Sequence, residues 1–236
     1  MIEVVVNADD FGLSNAVNYG IIDCHKGGLI NSATIMMNAK ATEHAIQLAK
    51  ETPSLKIGIH LVLTSGAPLL HDVPSLVDTE GNFKKQMAII DEPDCVSLEE
   101  LEREWSTQIE CFLKSGLVPT HFDSHHHMHG IPRFHPVVKR LSEYYHLPTR
   151  KVRDDLIDIP VITDLFMDDF YGETAVQGYF ATLNERVKNC ASVEIMAHPA
   201  YLDEELMHQS SYTYERLKEA SILMSEALPE GFILRK

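Results

Sequence analysis

The sequence predicts an α/β fold in which helices cover a mostly parallel sheet. Short runs rich in β-branched residues alternate with stretches of helical spacing along the chain. The length of 236 residues suits one domain, and we find no internal repeat, low-complexity tract or domain boundary. At this length a closed or nearly closed barrel is favoured, and a doubly wound open sheet is the alternative.

The strands are predicted from compact apolar runs, beginning with EVVV near the amino terminus. The runs SATIMM, KIGIHLVL and VEIMA indicate later strands in the same way. We expect strands over residues 3–7, 32–37, 56–63, 121–124, 193–197 and 232–234.

The helices are predicted from apolar spacing and from the residues that begin and end them. Gly27 and Gly28 stop the first helix, and Pro53 follows the second. Ser97 and Glu100 form a capping-box pattern that begins a long third helix. We expect helices over residues 14–25, 41–50, 97–113, 136–145, 174–188 and 212–226.

Residues 64–95 are rich in Pro, Gly and Asp and show weak periodicity. A loop of this length inside a compact domain is usually functional. We therefore expect residues 64–95 to be a long insertion that forms a lid or a substrate wall, or that contributes to a subunit contact.

Composition excludes several classes of partner. The formal net charge of -15 disfavours nucleic acid and anionic membranes as partners. Four scattered cysteines without a CxxC pair indicate neither a disulfide framework nor a cysteine zinc site, and they suit a reducing compartment. The amino terminus has no signal-peptide pattern, and no apolar run is long enough for a membrane span. We expect a cytoplasmic protein.

Four predicted strands end in an Asp or a His. Asp9 and Asp10 follow EVVV, and His60 lies near the end of its strand. The segment THFDSHHHMH contains His125, and His198 ends the run EIMA. Taken singly, the acid pair could simply belong to a turn or a helix start, and His60 could simply be a core residue. The carboxyl ends of parallel strands face one mouth, so together these residues predict a common site.

An Asp with two His and open coordination positions is a workable catalytic metal site. The cation would polarise a carbonyl and lower the pKa of a bound water. A nearby carboxylate could then accept the proton of that water, and an imidazole could protonate a departing amine. Such a set suits hydrolysis of an amide or an ester.

The segments NADDFGLS, GIHLVLT, THFDSHHHMH and EIMAHPAY resemble, in the same order, those of the YdjC-like carbohydrate deacetylases. The resemblance covers most of the chain. It implies a distorted barrel of parallel strands, and we expect about seven strands in a single metal-dependent deacetylase domain over 1–236. It also implies hydrolysis of N-acetyl groups on chitobiose-type sugars, including phosphorylated forms.

The resemblance further implies a divalent metal, assigned in the family as Mg²⁺, on Asp10, His60 and His125. It implies Asp9 as the general base and His198 as the acid. In more distant polysaccharide deacetylases, the second acid of such a pair is the metal ligand. Which of Asp9 and Asp10 binds the metal and which acts as the base stays open. Two imidazoles would suit Zn²⁺ at least as well as Mg²⁺.

Substrate contacts are predicted at two places. Three cations lie within four positions, at Arg150, Lys151 and Arg153. We expect Arg150 to bind a sugar phosphate. The alternative is that these residues form the solvated, basic start of a strand. His127 and His129 are candidate substrate-binding residues. Trp105 could stack on a sugar, but packing within its helix is favoured.

Two other functions remain open on the sequence alone. One is a metal-dependent phosphoesterase or other amidohydrolase on a related barrel, although such enzymes often carry an H-x-H pair on the first strand. The other is a non-enzymatic sugar or metal sensor. A homodimer is the default expectation for assembly.

Overall fold

A computed structural model describes residues 1–154 and 158–236. Its sheet has seven strands, and every pairing between them is parallel. The strands are β1 (Ile2–Phe11), β2 (Ser32–Ile35), β3 (Lys56–Leu61), β4 (Phe122–Ser124), β5 (Leu165–Met167), β6 (Ser192–Ala197) and β7 (Phe232–Leu234). Their order is β4-β3-β2-β1-β6-β5, and β7 pairs with the start of β1. The sheet curls into a half-barrel, so the predicted α/β class and distorted barrel are confirmed.

Helices flank the sheet. They are α1 (Asn15–Gly27), α2 (Thr42–Glu51), α3 (Gln86–Asp91), α4 (Leu98–Lys114), α5 (His135–Tyr145), α6 (Leu183–Arg186), α7 (Glu204–Gln209) and α8 (Tyr214–Ser225). Ser14 caps α1 by accepting a hydrogen bond from the Val17 amide, and Ser97 caps α4 by accepting one from the Glu100 amide. The predicted start of α4 at Ser97 is therefore confirmed.

The predicted helix over 174–188 is wrong. The chain there forms only short turns and α6, and Gly178 has a φ of 90°. A residue in the left-handed region interrupts helical hydrogen bonding, so the apolar spacing does not yield a continuous helix. The strand β5 and the helix α7 were not predicted, since each is very short.

The loop over 64–95 contains the helix α3 and is held by carboxylates of α4. Glu104 accepts hydrogen bonds from the amides of Leu69 and Leu70, both at 2.9 Å. Glu100 accepts hydrogen bonds from the amide and the hydroxyl of Ser75 instead of closing the capping box. The loop is thus anchored to α4.

A bulge interrupts β1 where it carries the acid pair. Ala8 of β1 pairs with Ala33 of β2, and the next pair is Phe11 with Ile35. Between these two pairs Asp10 has a φ of 66°. Adjacent side chains on a regular strand point to opposite faces, but a bulge re-aims one of them. The bulge therefore allows both carboxylates to face the same end of the sheet.

Three further predictions can be compared with the fold. Trp105 is fully buried and donates a hydrogen bond to the carbonyl of Val62, which confirms packing over sugar stacking. All four cysteines are free thiols. Within residues 1–154 and 158–236, no helix combines the length and the apolar character that crossing a bilayer requires.

Candidate metal site and its neighbours

Donor atoms from three chain segments converge at the carboxyl ends of β1, β3 and β4. Asp10 Oδ1 lies 3.3 Å from His60 Nε2 and 2.9 Å from His125 Nδ1. One donor atom from each of these residues lies within 4.8 Å of the other two. The structure therefore brings together the three residues that the family resemblance implies as metal ligands.

The spacing of the three donors fits a cation. Ligands that sit at right angles at ~2.1 Å from a small divalent ion lie about 3 Å from one another. One carboxylate oxygen with two imidazole nitrogens is a donor set that both Zn²⁺ and Mg²⁺ sites can contain. His60 and Asp10 are buried and His125 is partly buried, so the protein shields most of the site from solvent.

The second ring nitrogen of His60 is held by a buried acid. His60 Nδ1 lies 2.7 Å from Asp123 Oδ1, which orients Nε2 toward Asp10. Burial acts to lower the pKa of His60, but Asp123 and Asp10 outweigh it and raise the pKa to about 10. A carboxylate behind a histidine is the usual arrangement at metal sites, because it fixes the tautomer and the ring orientation.

The turn after β4 positions His125. His126 and His127 both adopt left-handed backbone angles, with φ of 55° and 56°. The segment is therefore neither an extended strand nor a regular helical turn. The His126 ring packs against His125 with centroids 3.9 Å apart and planes tilted by 35°, and His126 Nδ1 lies 2.9 Å from the Thr64 hydroxyl.

The second oxygen of Asp10 is bound by an arginine of α8. Arg216 Nη2 donates to Asp10 Oδ2 at 2.6 Å, and this leaves Oδ1 directed at His60 and His125. Burial acts to raise the pKa of Asp10, but Arg216 and then His125 outweigh it and hold the pKa well below its ordinary value. Asp10 is therefore an ionised ligand candidate throughout the physiological pH range.

Asp9 is held by Arg150 in a buried charge cluster. Arg150 Nη2 and Nη1 donate to the two oxygens of Asp9 at 2.6 and 2.8 Å. The same guanidinium contacts Asp123 at 2.9 Å and Glu194 at 2.8 Å. Burial acts to raise the pKa of Asp9, but the charge of Arg150 and its hydrogen bonds outweigh burial and lower the pKa.

Two expectations for substrate contacts need correction. Arg150 is fully buried and its donors are taken by carboxylates, so it is not placed to receive a sugar phosphate. His129 is also buried, with Nδ1 2.6 Å from the Ser124 hydroxyl and Nε2 3.3 Å from the Arg150 carbonyl, and it supports the turn instead.

His127 lies nearer the surface than His129 does. It is half-buried, and its ring packs edge to face on Phe166 with centroids 5.5 Å apart. Its Nδ1 is buried and has no hydrogen-bond partner among the described residues.

His198 follows β6 and faces Asp9 across the site. Its Nε2 lies 4.0 Å from Asp9 Oδ2, too far for a direct hydrogen bond. The His198 amide donates to Glu219 of α8, which fixes the backbone at this strand end. Burial lowers the pKa of His198 to about 4, so the ring is neutral at pH 7.

Several residues of the site were not singled out from the sequence. Asp123 and Glu194 lie inside quoted motifs, on β4 and β6, where the position of each acid in an apolar strand was a usable signal. Arg216 and Glu219 lie in a helix whose pattern indicates only a packed face. Tyr171 and Tyr212 lie in irregular segments without a local signal.

Comparison with known proteins agrees with this architecture. The sequence model of the YdjC-like protein family matches residues 3–232. A carbohydrate deacetylase of Halalkalibacterium halodurans is 44% identical, covering 98% of this chain and 99% of the relative. A carbohydrate deacetylase of Geobacillus stearothermophilus is also 44% identical, covering 95% of this chain and 90% of the relative.

A solved structure shares the fold over nearly the whole chain. It is a crystal structure from Enterococcus faecalis V583, described as a candidate cellobiose-phosphate cleavage protein. It has a TM-score of 0.89 and 34% identity, and it covers 95% of this chain and 91% of that chain. With the family match and the two relatives above, this shows that the chain belongs to the YdjC-like protein family.

Proposed function

We propose that this protein is a metal-dependent deacetylase that hydrolyses N-acetyl groups on amino sugars of the chitobiose type, including their 6-phosphates. The observation that carries the proposal is the convergence of Asp10, His60 and His125 beside the facing pair Asp9 and His198. Relatives at 44% identity are named carbohydrate deacetylases, which supports the same reaction class.

Asp10 is the better candidate for the metal ligand and Asp9 for the base. A second group of donors, from Asp9, His60 and Asp123, is also close enough to share an ion. However, the Arg150 guanidinium already binds both of those acids and would repel a cation there. Asp10 keeps one oxygen directed at two imidazoles, so the ion belongs between Asp10, His60 and His125.

When bound, a divalent cation supplies Lewis acidity toward the acetyl carbonyl and lowers the pKa of water. Asp9 accepts the proton of the attacking water at Oδ2, which has lone-pair capacity beyond its bond to Arg150 Nη1. His198 is neutral before the reaction, so it must first receive a proton, and because Asp9 Oδ2 lies 4.0 Å away, the proton that Asp9 accepts would pass to His198 through a bridging water. His198 Nε2 then protonates the amine as the C–N bond breaks, giving acetate and a free amino sugar.

The proposal also covers the identity of the metal ion, the location and assembly of the protein, and one further substrate contact. The native ion is Mg²⁺ by resemblance, with Zn²⁺ as the alternative that the donor set supports. We place the enzyme in the cytoplasm and propose a homodimer, both on the expectations drawn from the sequence. His127 is the remaining histidine proposed to contact substrate, because it is only half-buried and its Nδ1 has no hydrogen-bond partner among the described residues.

The test is product analysis on a defined sugar. Diacetylchitobiose and its 6-phosphate are incubated with the protein, and released acetate and phosphate are measured separately. We expect acetate release that chelator abolishes and metal restores. Phosphate release without acetate would instead indicate a phosphoesterase, and neither product would indicate a non-enzymatic role. His60→Ala should lose acetate release. His208→Ala, which changes an exposed histidine on α7, is its matched control and should keep it.

A further inference from the structure

Two tyrosines form a parallel stack beside His198. The rings of Tyr171 and Tyr212 have centroids 4.1 Å apart and an interplanar angle of 12°. Tyr212 is 9% exposed, whereas Tyr171 is 44% exposed. The stack therefore has an inner ring that is packed into the protein and an outer ring that reaches solvent.

His198 lies at the side of this stack and leaves the outer ring uncovered. Its centroid is 5.5 Å from that of Tyr171 and 5.8 Å from that of Tyr212. A ring that is almost equally far from two stacked rings lies beside their edges, not over the outer face. Because Tyr212 covers one face of Tyr171, the exposed part of Tyr171 includes its opposite face.

The stack is held by polar contacts of the inner ring. The Tyr212 hydroxyl accepts a hydrogen bond from the Gly172 amide at 2.7 Å and donates one to Glu219. Glu219 also binds the His198 amide. Gly172 has a φ of 57°, a left-handed angle that glycine adopts without strain. The outer ring is therefore fixed relative to the proposed acid.

We propose that the open face of Tyr171 is a binding platform for a pyranose ring of the substrate. This inference rests on the proposed function. The C–H face of a pyranose is apolar, and a rigid exposed aromatic ring covers such a face at little cost in conformational entropy. A sugar stacked there lies beside His198, whose ring centroid is 5.5 Å from that of Tyr171. Unlike a phosphate contact, this contact recognises the sugar ring itself.

A fluorescent reporter tests the platform without depending on turnover. The natural chain has a single tryptophan, Trp105, which is fully buried and far less sensitive to ligand than an exposed ring. Tyr171→Trp keeps a stacking surface and places a second indole on the platform. Tyr144→Trp, at an exposed tyrosine on α5, is the matched control. We expect diacetylchitobiose to shift or quench the emission of Tyr171→Trp only. Equal responses, or no response in Tyr171→Trp, would overturn the platform.

Kinetics give a second, independent readout. For Tyr171→Ala we expect KM for diacetylchitobiose to rise about tenfold with a much smaller change in kcat, whereas Tyr171→Phe should behave like the natural protein. If the natural protein releases acetate and Tyr171→Ala has an unchanged KM, the platform fails while the proposed function stands. If the sugar changes the Tyr171→Trp emission but no acetate is released, the proposed function fails while the platform stands.

Discussion

Arg150 donates two parallel hydrogen bonds to Asp9, from Nη1 to Oδ2 at 2.8 Å and from Nη2 to Oδ1 at 2.6 Å. A bidentate pair fixes the plane of the carboxylate as well as its position. Asp9 is the proposed base, so Arg150 determines which lone pairs of that base face the site. The cation that the sequence suggested for substrate binding instead orients a reacting group.

Arg150→Lys tests this role. Lysine keeps the charge but cannot form the planar double contact, so we expect kcat to fall by at least about tenfold with little change in KM. The loss should be the same for diacetylchitobiose and its 6-phosphate. A rise in KM confined to the phosphorylated sugar would restore the phosphate-binding role. Arg133→Lys, whose side chain pairs with Asp94 at the surface, serves as the control.

Asp9→Asn tests whether Asp9 is the general base and Asp10 the metal ligand. The amide cannot accept the proton of water, so we expect kcat to fall by about 10²–10⁴. Asp10, His60 and His125 are untouched, so bound metal measured by elemental analysis should stay the same. Loss of metal in this variant, or full turnover, would show that Asp9 and Asp10 have been assigned the wrong way round.

Much of this fold and part of this site follow from sequence patterns. The strand ends that carry Asp10, His60 and His198 were predictable because apolar runs mark strands and parallel strands end at one edge. The pairing of Arg150 with acids on β1, β4 and β6 was not, since local charge pattern carries no information about residues distant in sequence.

Other features escaped prediction for geometric reasons. The left-handed angles of His126 and His127 form a turn whose side-chain directions follow neither the strand period nor the helix period. The bulge in β1 likewise depends on the pairing with β2, which one strand alone does not reveal. Arg216 reaches Asp10 from a helix whose sequence indicates only burial.

Glu219 should make stability depend on pH. Burial raises its pKa to about 8, against the opposing hydrogen bonds from Tyr212 and the His198 amide. Between the ordinary value of 4.5 and about 8, the folded state binds more protons than the unfolded state, so wild-type stability falls as pH rises through this interval. Glu219→Gln removes that titration.

The measurement is the free energy of unfolding in urea for both proteins at several pH values. From pH 5 to pH 8, Glu219→Gln should gain stability relative to the natural protein, by at most about 1.4 kcal/mol per pH unit. Parallel curves for the two proteins would contradict the raised pKa.

Glu104 should anchor the loop over residues 64–95 to α4. It is buried and accepts from the backbone amides of Leu69 and Leu70 and from the side-chain amide of Gln108, so Glu104→Ala leaves three donors without this acceptor, at about 1–3 kcal/mol each. We expect faster proteolysis within 64–95 and lower stability. Glu102→Ala, on the same helix but paired with Arg140 near the surface, should cost at most about 1 kcal/mol. Equal protease sensitivity of the two variants would show that Glu104 does not anchor the loop.

Direct titration of metal into the metal-free protein tests the central claim most sharply, with binding followed by calorimetry and acetate release followed in parallel. For the natural protein we expect one divalent ion per chain and recovery of acetate release as that ion binds. His60→Ala and His125→Ala should lose both, while the surface control His208→Ala keeps both. Unchanged stoichiometry and affinity in His60→Ala and His125→Ala would contradict the proposal that Asp10, His60 and His125 share a catalytic ion.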